Sequence, residues 1–237
     1  MLISKDLLCR SVEPFGLQLS DEAVERFDRY AELLVEWNGR FNLTAITDPD
    51  GIVVRHFADS LAFLAVVKPA EGSSLIDVGS GAGFPGLPIA IQRGDMKVTL
   101  LDSTNKRVGF LAEVARELGL SVTAIHARAE DAAAAELREQ FDLATARAVA
   151  NMRELSEYCL GFVKVGGKFA ALKGPSLAEE LADAQKAVTI MGGGAADVTE
   201  FLLPDGSSRT IAIIPKIAAT PTGYPRKSAK MAKFPLK

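Results

Sequence analysis

The spacing of apolar residues divides the chain into a helical first part and an alternating second part. Between residues 20 and 38, apolar side chains recur at helical intervals, and Ser20 precedes them as a capping residue. Shorter helices are predicted over residues 2–12 and from about residue 51 to 67. A linker with proline, glycine and serine follows. We therefore predict a helical N-terminal extension over residues 1–70.

After residue 70, short apolar runs alternate with amphipathic segments, which is the pattern of repeated β–α units. The predicted strands span residues 75–78, 98–101, 122–125, 141–146, 168–172, 198–203 and 210–214. Helices are predicted from about 87, from 104 to Gly119, over 152–160 and over 176–191, with an alanine-rich helical turn after the third strand. Gly166-Gly167 predicts a turn and Pro204-Asp205-Gly206 a hairpin. The order predicts an α/β domain over residues 71–217, with a mostly parallel sheet and helices on both of its faces.

Four glycines follow the first of these strands, and two acids accompany them. The glycines are Gly79, Gly81, Gly83 and Gly86. A loop of this kind between a strand and a helix lets a ligand approach the backbone without meeting a Cβ. Asp77 lies in the strand, and Asp102 closes the next strand at the same predicted edge of the sheet. This arrangement predicts a site for a nucleotide-type cofactor.

Two classes of cofactor fit this loop. A carboxylate at Asp102 can accept hydrogen bonds from both hydroxyls of an adenosine ribose, in a nicotinamide dinucleotide or in S-adenosylmethionine. Gly81, Gly83 and Gly86 match the GxGxxG spacing, so an NAD-dependent oxidoreductase remains the alternative. An acid directly before the glycines favours a cofactor with an ammonium group and no pyrophosphate. A third hypothesis, a non-catalytic RNA-binding module, would not require the two acids.

Charge is distributed unevenly along the chain. The net charge is −3, yet residues 206–237 contain seven basic residues and no acid, which leaves the preceding part at −10. The basic residues after the hairpin predict an anionic partner for a C-terminal tail over residues 218–237. Pro225 and Pro235 argue against a regular packed helix there. We expect this tail to bind RNA rather than the cofactor.

Other features of the sequence exclude several classes of protein. No apolar run reaches the roughly 18 residues of a membrane helix, and no export signal is evident at the N-terminus. Cys9 and Cys159 lack metal-binding or redox spacing and are expected to be free thiols. The expected protein is cytoplasmic and monomeric, and it binds neither a membrane nor a metal.

The motifs resemble one family over nearly the full chain. The segment DVGSGAGFPGLP from residue 77 is similar to the first motif of class I S-adenosylmethionine-dependent methyltransferases. It resembles more closely that of the glucose-inhibited division protein B (GidB/RsmG) family of bacterial small-subunit rRNA guanine-N7 methyltransferases. Further matching segments are EWNGRFNLT at 36–44, RHFADSL at 55–61, LLDSTNKR at 100–107, ARA at 146–148, ALKG at 171–174 and YPRK at 224–227.

The resemblance implies a fold, a reaction and a set of site residues. It implies a Rossmann-like class I methyltransferase with a seven-stranded sheet. Its expected activity is methylation of 16S rRNA, free or in the small ribosomal subunit, at N7 of guanine 527. Cofactor contacts are implied at Gly79, Phe84, Ala129, Glu130 and Arg147, with Asp102, Ser103 and Thr104 on the ribose side. Asp77 in the strand and Gly81 in the loop are the further cofactor candidates. Arg147 is also the candidate at the catalytic edge.

Guanine N7 carries a lone pair and no proton, so its methylation requires positioning and no general base. Neither His56 nor His126 is therefore assigned as a base. RNA phosphates require cations around the site. The candidates for RNA contact are Arg40, Arg55, His56, Lys173, Arg226, Lys227, Lys230 and Lys233.

Overall fold

A seven-stranded sheet forms the centre of the computed structural model, which describes residues 1–175 and 177–236. The strands are β1 (Ser74–Val78), β2 (Lys97–Asp102), β3 (Val122–His126), β4 (Phe141–Arg147), β5 (Val163–Lys173), β6 (Asp197–Leu202) and β7 (Ser208–Pro215). Their order is β3-β2-β1-β4-β5-β7-β6. The first five are parallel, and β7 runs antiparallel to both β5 and β6. The predicted α/β architecture and the terminal hairpin are confirmed.

Helices cover both faces of the sheet. They are α1 (Lys5–Val12), α2 (Asp21–Phe41), α3 (Pro49–Gly51), α4 (Asp59–Val67), α5 (Gly86–Gln92), α6 (Asn105–Glu117), α7 (Ala129–Ala132), α8 (Met152–Leu160), α9 (Leu177–Ile190) and α10 (Ser228–Lys233). Ser20 caps α2 as predicted, and its side chain accepts a hydrogen bond from the Ala23 N–H. The predicted first residue of α9, Ser176, lies outside the described residues.

Two local predictions differ from the structure. The helix predicted from residue 51 to 67 contains a π-helical segment, Ile52–Ala58, between α3 and α4. The wider turns of a π-helical segment change which of its side chains face the sheet. Such π-helical segments are frequent at functional sites. Gly166-Gly167 is not a turn between elements, because both residues lie within β5. The pairing of β4 with β5 shifts register beside them, so the glycines accommodate a bulge.

The N-terminal helices share a hydrophobic core with one face of the sheet. Phe27 of α2 and Phe57 of the π segment belong to the same buried cluster as Leu100 of β2 and Leu143 of β4. A second cluster, on the opposite face, joins the sheet to α8 and α9. The extension therefore packs as part of the α/β body and covers one side of the sheet edge.

The C-terminal tail is packed against the domain. The Glu139 carboxylate accepts the Thr220 N–H at 2.7 Å, and the Arg138 guanidinium donates to the Tyr224 carbonyl at 2.6 Å. Helix α10 forms between the two prolines and buries Met231. The prediction that no regular packed helix forms in the tail is therefore wrong. The prolines delimit the helix rather than interrupt it.

Candidate functional site

The carboxyl ends of five parallel strands meet at one edge of the sheet. Gly79 follows β1, whereas Asp102, Arg147 and Lys173 are the last residues of β2, β4 and β5. The antiparallel β7 begins at this same edge and places Arg209 beside them. The sheet therefore brings together residues that are far apart in the sequence, at the edge where open α/β sheets bind ligands.

The glycine loop makes a close turn over this edge. Gly79 has a φ of +72°, and a Cβ built on it would lie 2.7 Å from Cγ2 of Val149. The Gly79 N–H donates to the Leu101 carbonyl at 2.8 Å, which holds the loop against β2. A side chain at this position would be strained in φ and would collide with the segment after β4.

Asp102 is the carboxylate on which the loop converges. Its Oδ2 accepts the Gly81 N–H at 2.9 Å, and its Oδ1 accepts the Thr104 N–H at 2.8 Å. The Arg107 guanidinium lies 3.7 Å away. Each carboxylate oxygen has a further lone pair, so Asp102 can still accept two hydrogen bonds from a ligand. Thr104 contributes its backbone here, and its side chain is exposed.

Two cavities open on either side of Asp102. One, of about 210 Å³, is lined by Ala129, Glu130 and neighbours on α7 and α8. The other, of about 360 Å³, is lined by Phe84, Arg147 and residues of the N-terminal extension. The residues common to both are Gly79, Asp102, Ser103 and Val149. The two cavities thus form neighbouring parts of one cleft, with Val149 lying over Gly79 between them.

Asp77 lies beneath the glycine loop and lines neither cavity. It is fully buried, and its Oδ2 accepts the Gly86 N–H at 2.9 Å, while its Oδ1 has no hydrogen-bond partner. Burial raises the pKa of this carboxyl to about 7. The structure therefore places Asp77 as a support of the loop rather than as a wall of the cleft.

Arg147 is held in place by a dense set of contacts. Its Nη1 donates to Oδ2 of Asp59 at 2.8 Å and to the Arg55 carbonyl at 3.2 Å. Its Nη2 lies 3.2 Å from Nδ1 of His56, and its guanidinium carbon lies 4.7 Å from the centre of the Phe84 ring. A guanidinium restrained on so many sides forms a rigid wall of the cleft.

His56 is a buried partner of Arg147 rather than a free cation. Because a guanidinium only donates hydrogen bonds, Nδ1 of His56 must accept, and the ring proton lies on Nε2, 2.9 Å from Oγ1 of Thr44. Burial, together with the Arg147 charge, lowers the pKa of His56 to about 3. The expectation that His56 contacts a phosphate is therefore corrected, because the neutral ring stacks on Phe84.

Phe84 and the remaining cofactor candidates occupy different parts of the cleft. Phe84 lines the larger cavity, yet most of its ring is buried between Tyr30 and His56. Glu130 is buried and receives the Ser228 N–H of the tail at 3.4 Å, which links the smaller cavity to the C-terminus. Sequence reasoning did not anticipate these contacts, since each joins distant segments.

A third cavity, of about 330 Å³, lies beyond Arg147. It is lined by Arg55, His56, Asp59, Arg147, Ala148, Leu172, Lys173, Gly174 and Arg209. Asp59 and Arg209 were missed from the sequence. Asp59 belongs to the RHFADSL segment, so that segment contained the available signal. Arg209 had no local signal, because only the β5–β7 pairing brings it to this edge.

The basic RNA candidates fall into distinct groups. Arg40 and Arg55 are exposed, and each pairs with an acid, Glu36 and Asp205 respectively. Lys173 is largely buried and donates to the Ala150 carbonyl at 2.6 Å and to Glu180 at 2.7 Å.

The tail residues also differ from one another. Arg226 is buried and pairs with Glu157, so its expected role as a phosphate contact is corrected to a structural one. Lys227 pairs with Asp131 at the surface, while Lys230 and Lys233 are exposed on α10.

Within residues 1–175 and 177–236, no cluster of three or more metal-binding side chains occurs. Across the same described residues, no helix has the length and apolar character needed to cross a membrane. Cys9 and Cys159 are free thiols, as predicted, and Cys159 is buried in α8.

The fold is that of the class I methyltransferases. Among solved structures, a SAM-dependent O-methyltransferase from Thermotoga maritima matches with a TM-score of 0.53 at 17% identity, covering 78% of this chain and 71% of that chain. At this identity the likeness concerns the fold alone.

The sequence places the chain within one family of that class. The model of the family described as rRNA small subunit methyltransferase G matches residues 23–209. Two relatives named ribosomal RNA small subunit methyltransferase G, from Clostridium beijerinckii and Clostridium botulinum, are 52% and 49% identical, and each match covers 98% of both chains. The chain belongs to this family of methyltransferases.

Proposed function

We propose that this protein transfers a methyl group from S-adenosylmethionine to N7 of a guanine in 16S rRNA, expected at guanine 527. The observation that supports the proposal is the match over 98% of the chain to a relative named for small-subunit rRNA methylation, together with the match of residues 23–209 to the model of that family. The NAD-dependent alternative is not retained, because the matched family is one of methyltransferases. The expected setting is the cytoplasm, where ribosomal RNA is assembled.

The residues present fit the proposed cofactor. Asp102 has two unused acceptor positions between the two cavities, which suits the two hydroxyls of a ribose. The smaller cavity, with Ala129 and Glu130, suits the adenine, and the larger one suits the methionine portion. Gly79 lines both cavities, so both portions of the cofactor would lie along its backbone, and Val149 occupies the space that a side chain at this position would take.

When bound, S-adenosylmethionine supplies an activated methyl group on a sulfonium centre. The chain's own task is to bind, orient and exclude water. Arg147 lines both the larger cavity and the third cavity and lies between them. A base that enters through the third cavity, which is lined by cations, therefore reaches the cofactor cavity at Arg147, whose guanidinium is held in place by Asp59 and Phe84. Fixing the reacting atoms in line can supply several kcal/mol of the barrier, on the order of 7 to 11 in favourable cases.

The third cavity is lined by the cations Arg55, Lys173 and Arg209, which supports the proposal that RNA approaches the site from this side. A deep and narrow major groove hides N7 in helical RNA, so the target guanine must be unpaired or flipped out. Lys227, Lys230 and Lys233 remain predicted phosphate contacts of the tail.

We expect the methyl-transfer rate at saturating substrates to be nearly flat from about pH 6.5 to 8.5. N7 has no proton to remove, and His56, with a pKa lowered to about 3, stays neutral throughout this range. Single-turnover quench measurements across the range provide the test.

The pKa of Asp77, beneath the glycine loop, is raised to about 7, so this carboxyl changes its charge within the same pH range. The dependence of the methyl-transfer rate on pH is therefore also measured in the Asp77→Asn variant as a control. A steep rise of the methyl-transfer rate with pH that persists in Asp77→Asn and is abolished by replacing His126 would contradict methyl transfer by positioning without a general base.

The proposed function is tested with the full chain, 16S rRNA or small subunits lacking this methylation, and labelled S-adenosylmethionine. We expect one methyl group per RNA, located at N7 of a single guanine by borohydride reduction and strand scission. Thermal-shift measurements should show stabilisation by S-adenosylhomocysteine and none by NAD. Label on another atom, or on proteins alone, would contradict the assignment.

A further inference from the structure

The third cavity contains an acidic group among cations. Of the described residues that line it, Asp59 alone is acidic, whereas Arg55, Arg147, Lys173 and Arg209 are basic. Cations at this position are expected where RNA phosphates bind, but phosphates give no reason for a carboxylate. Asp59 pairs with Arg147 and Arg209, and as a carboxylate in this wall it also offers acceptors for donor groups, which a phosphate lacks.

The carboxylate is fixed by two arginines from two strands. Asp59 begins α4 directly after the π segment and is 4% exposed. Its Oδ2 accepts from Nη1 of Arg147 at 2.8 Å, and its Oδ1 lies 3.3 Å from Nε of Arg209. Each oxygen therefore keeps one unused lone pair, and the two oxygens are held in a defined plane.

Guanine is the base that matches this group. Its Watson–Crick edge carries two neighbouring donors, N1–H and the 2-amino group, with the O6 acceptor next to them. N7 lies on the other edge of the base, so this edge is available for recognition during methylation. Adenine offers an acceptor at N1, which would place a lone pair against the carboxylate.

We propose that Asp59, oriented by Arg147 and Arg209, selects the target base by accepting hydrogen bonds from N1–H and the 2-amino group of guanine. The inference rests on the proposed function and deepens it by naming a residue that determines base specificity. Enzymes that act on extruded bases commonly read the Watson–Crick edge in this way. A site built for a donor discriminates strongly against an analogue that lacks it.

The experiment compares guanosine with inosine at the target position of otherwise identical rRNA. Inosine keeps N1–H, O6 and N7 but lacks the 2-amino group. For the wild-type chain we expect kcat/KM to be about 10- to 100-fold lower with inosine, after correction for the intrinsic N7 reactivity of the two nucleosides. In Asp59→Asn, one acceptor is replaced by a donor, and we expect the ratio of guanosine to inosine to fall to within about threefold.

Asp205→Asn is the matched control. Asp205 pairs with Arg55 at the outer rim of the same cavity at 2.8 Å, and the Arg55 side chain is half exposed. The variant removes an acid from an arginine pair without removing a group that lines the cavity, so the guanosine-to-inosine ratio should stay at the wild-type value. S-adenosylhomocysteine affinity, measured by calorimetry, verifies that each variant retains a folded cofactor site.

The outcomes separate the two proposals. If Asp59→Asn lowers activity equally with both substrates, Asp59 acts only by positioning Arg147 and the inference is overturned. If Asp59→Asn does not fold, the inference is tested with the wild-type chain alone. Equal corrected rates of the wild-type chain on guanosine and inosine overturn the inference. Failure of the wild-type chain to methylate guanosine RNA would instead refute the proposed function.

Discussion

Replacing Arg226 with alanine should lower the free energy of unfolding by about 3 to 5 kcal/mol. The Arg226 side chain is 8% exposed, and its partner Glu157 is 1% exposed. Nε of Arg226 donates to Glu157 at 3.0 Å, and its Nη1 donates to the Phe234 carbonyl at 2.7 Å. The substitution leaves a buried carboxylate without its cation and releases the end of the tail. Urea denaturation of the two proteins measures the difference.

The neighbouring Lys227 provides the control. It pairs with Asp131 at the surface, where solvent screens the attraction, so Lys227→Ala should change stability by about 1 kcal/mol or less. The double variant Arg226→Met with Glu157→Leu should recover much of the loss, because it removes both charges and keeps the volume. A loss below about 1 kcal/mol in Arg226→Ala would show that the tail is not anchored by this pair.

Replacing Asp102 with alanine should weaken S-adenosylhomocysteine binding by about 1.5 to 3 kcal/mol, or roughly 10- to 150-fold in Kd. The reason is the loss of a charged acceptor at the junction of the two cavities. The change also frees the N–H groups of Gly81 and Thr104, which accounts for an accompanying loss of stability. Isothermal titration calorimetry measures the affinity, and denaturation measures the stability.

Asp142→Ala is the matched control for this second prediction. Asp142 also accepts hydrogen bonds from a neighbouring strand, namely from the Ser74 N–H at 2.9 Å and from its hydroxyl at 2.6 Å. It lies near the start of β4, at the opposite end of the sheet from the cleft. We expect it to affect stability and to leave cofactor affinity unchanged. Equal affinities in the wild type and Asp102→Ala would refute the ribose assignment.

The position of the cofactor cleft could be predicted from the sequence because its signals are local. A short apolar run, four glycines and a helix start within one segment require no knowledge of distant contacts. Asp102 could be added because the carboxyl ends of parallel strands lie at one edge. The structure confirms the β–α order behind both inferences, whereas the contacts of each residue with the cofactor stay predictions.

The burial, ion pairing and protonation of individual charged groups could not be predicted from local sequence patterns. Arg226 belongs to a run of basic residues, and the pattern predicted a tail whose cations contact RNA. Its actual partner, Glu157, is 69 positions away and buried in α8. Similarly, His56 is neutral because it is enclosed beside Arg147, which is 91 positions away. Burial and partner choice are properties of the folded chain, so periodicity and local charge carry little information about them.

By itself, the sequence determined the alternation of strands and helices, the glycine loop and the family, since each is carried by residues close together in the chain or by motifs in a fixed order. Tertiary structure alone decided which charges are free and which are paired. It also placed Asp59 between Arg147 and Arg209, which reach it from two different strands. The physical reason is that electrostatic and packing energies depend on distance and burial, and both are set when the sheet edge, the π segment and the tail come together.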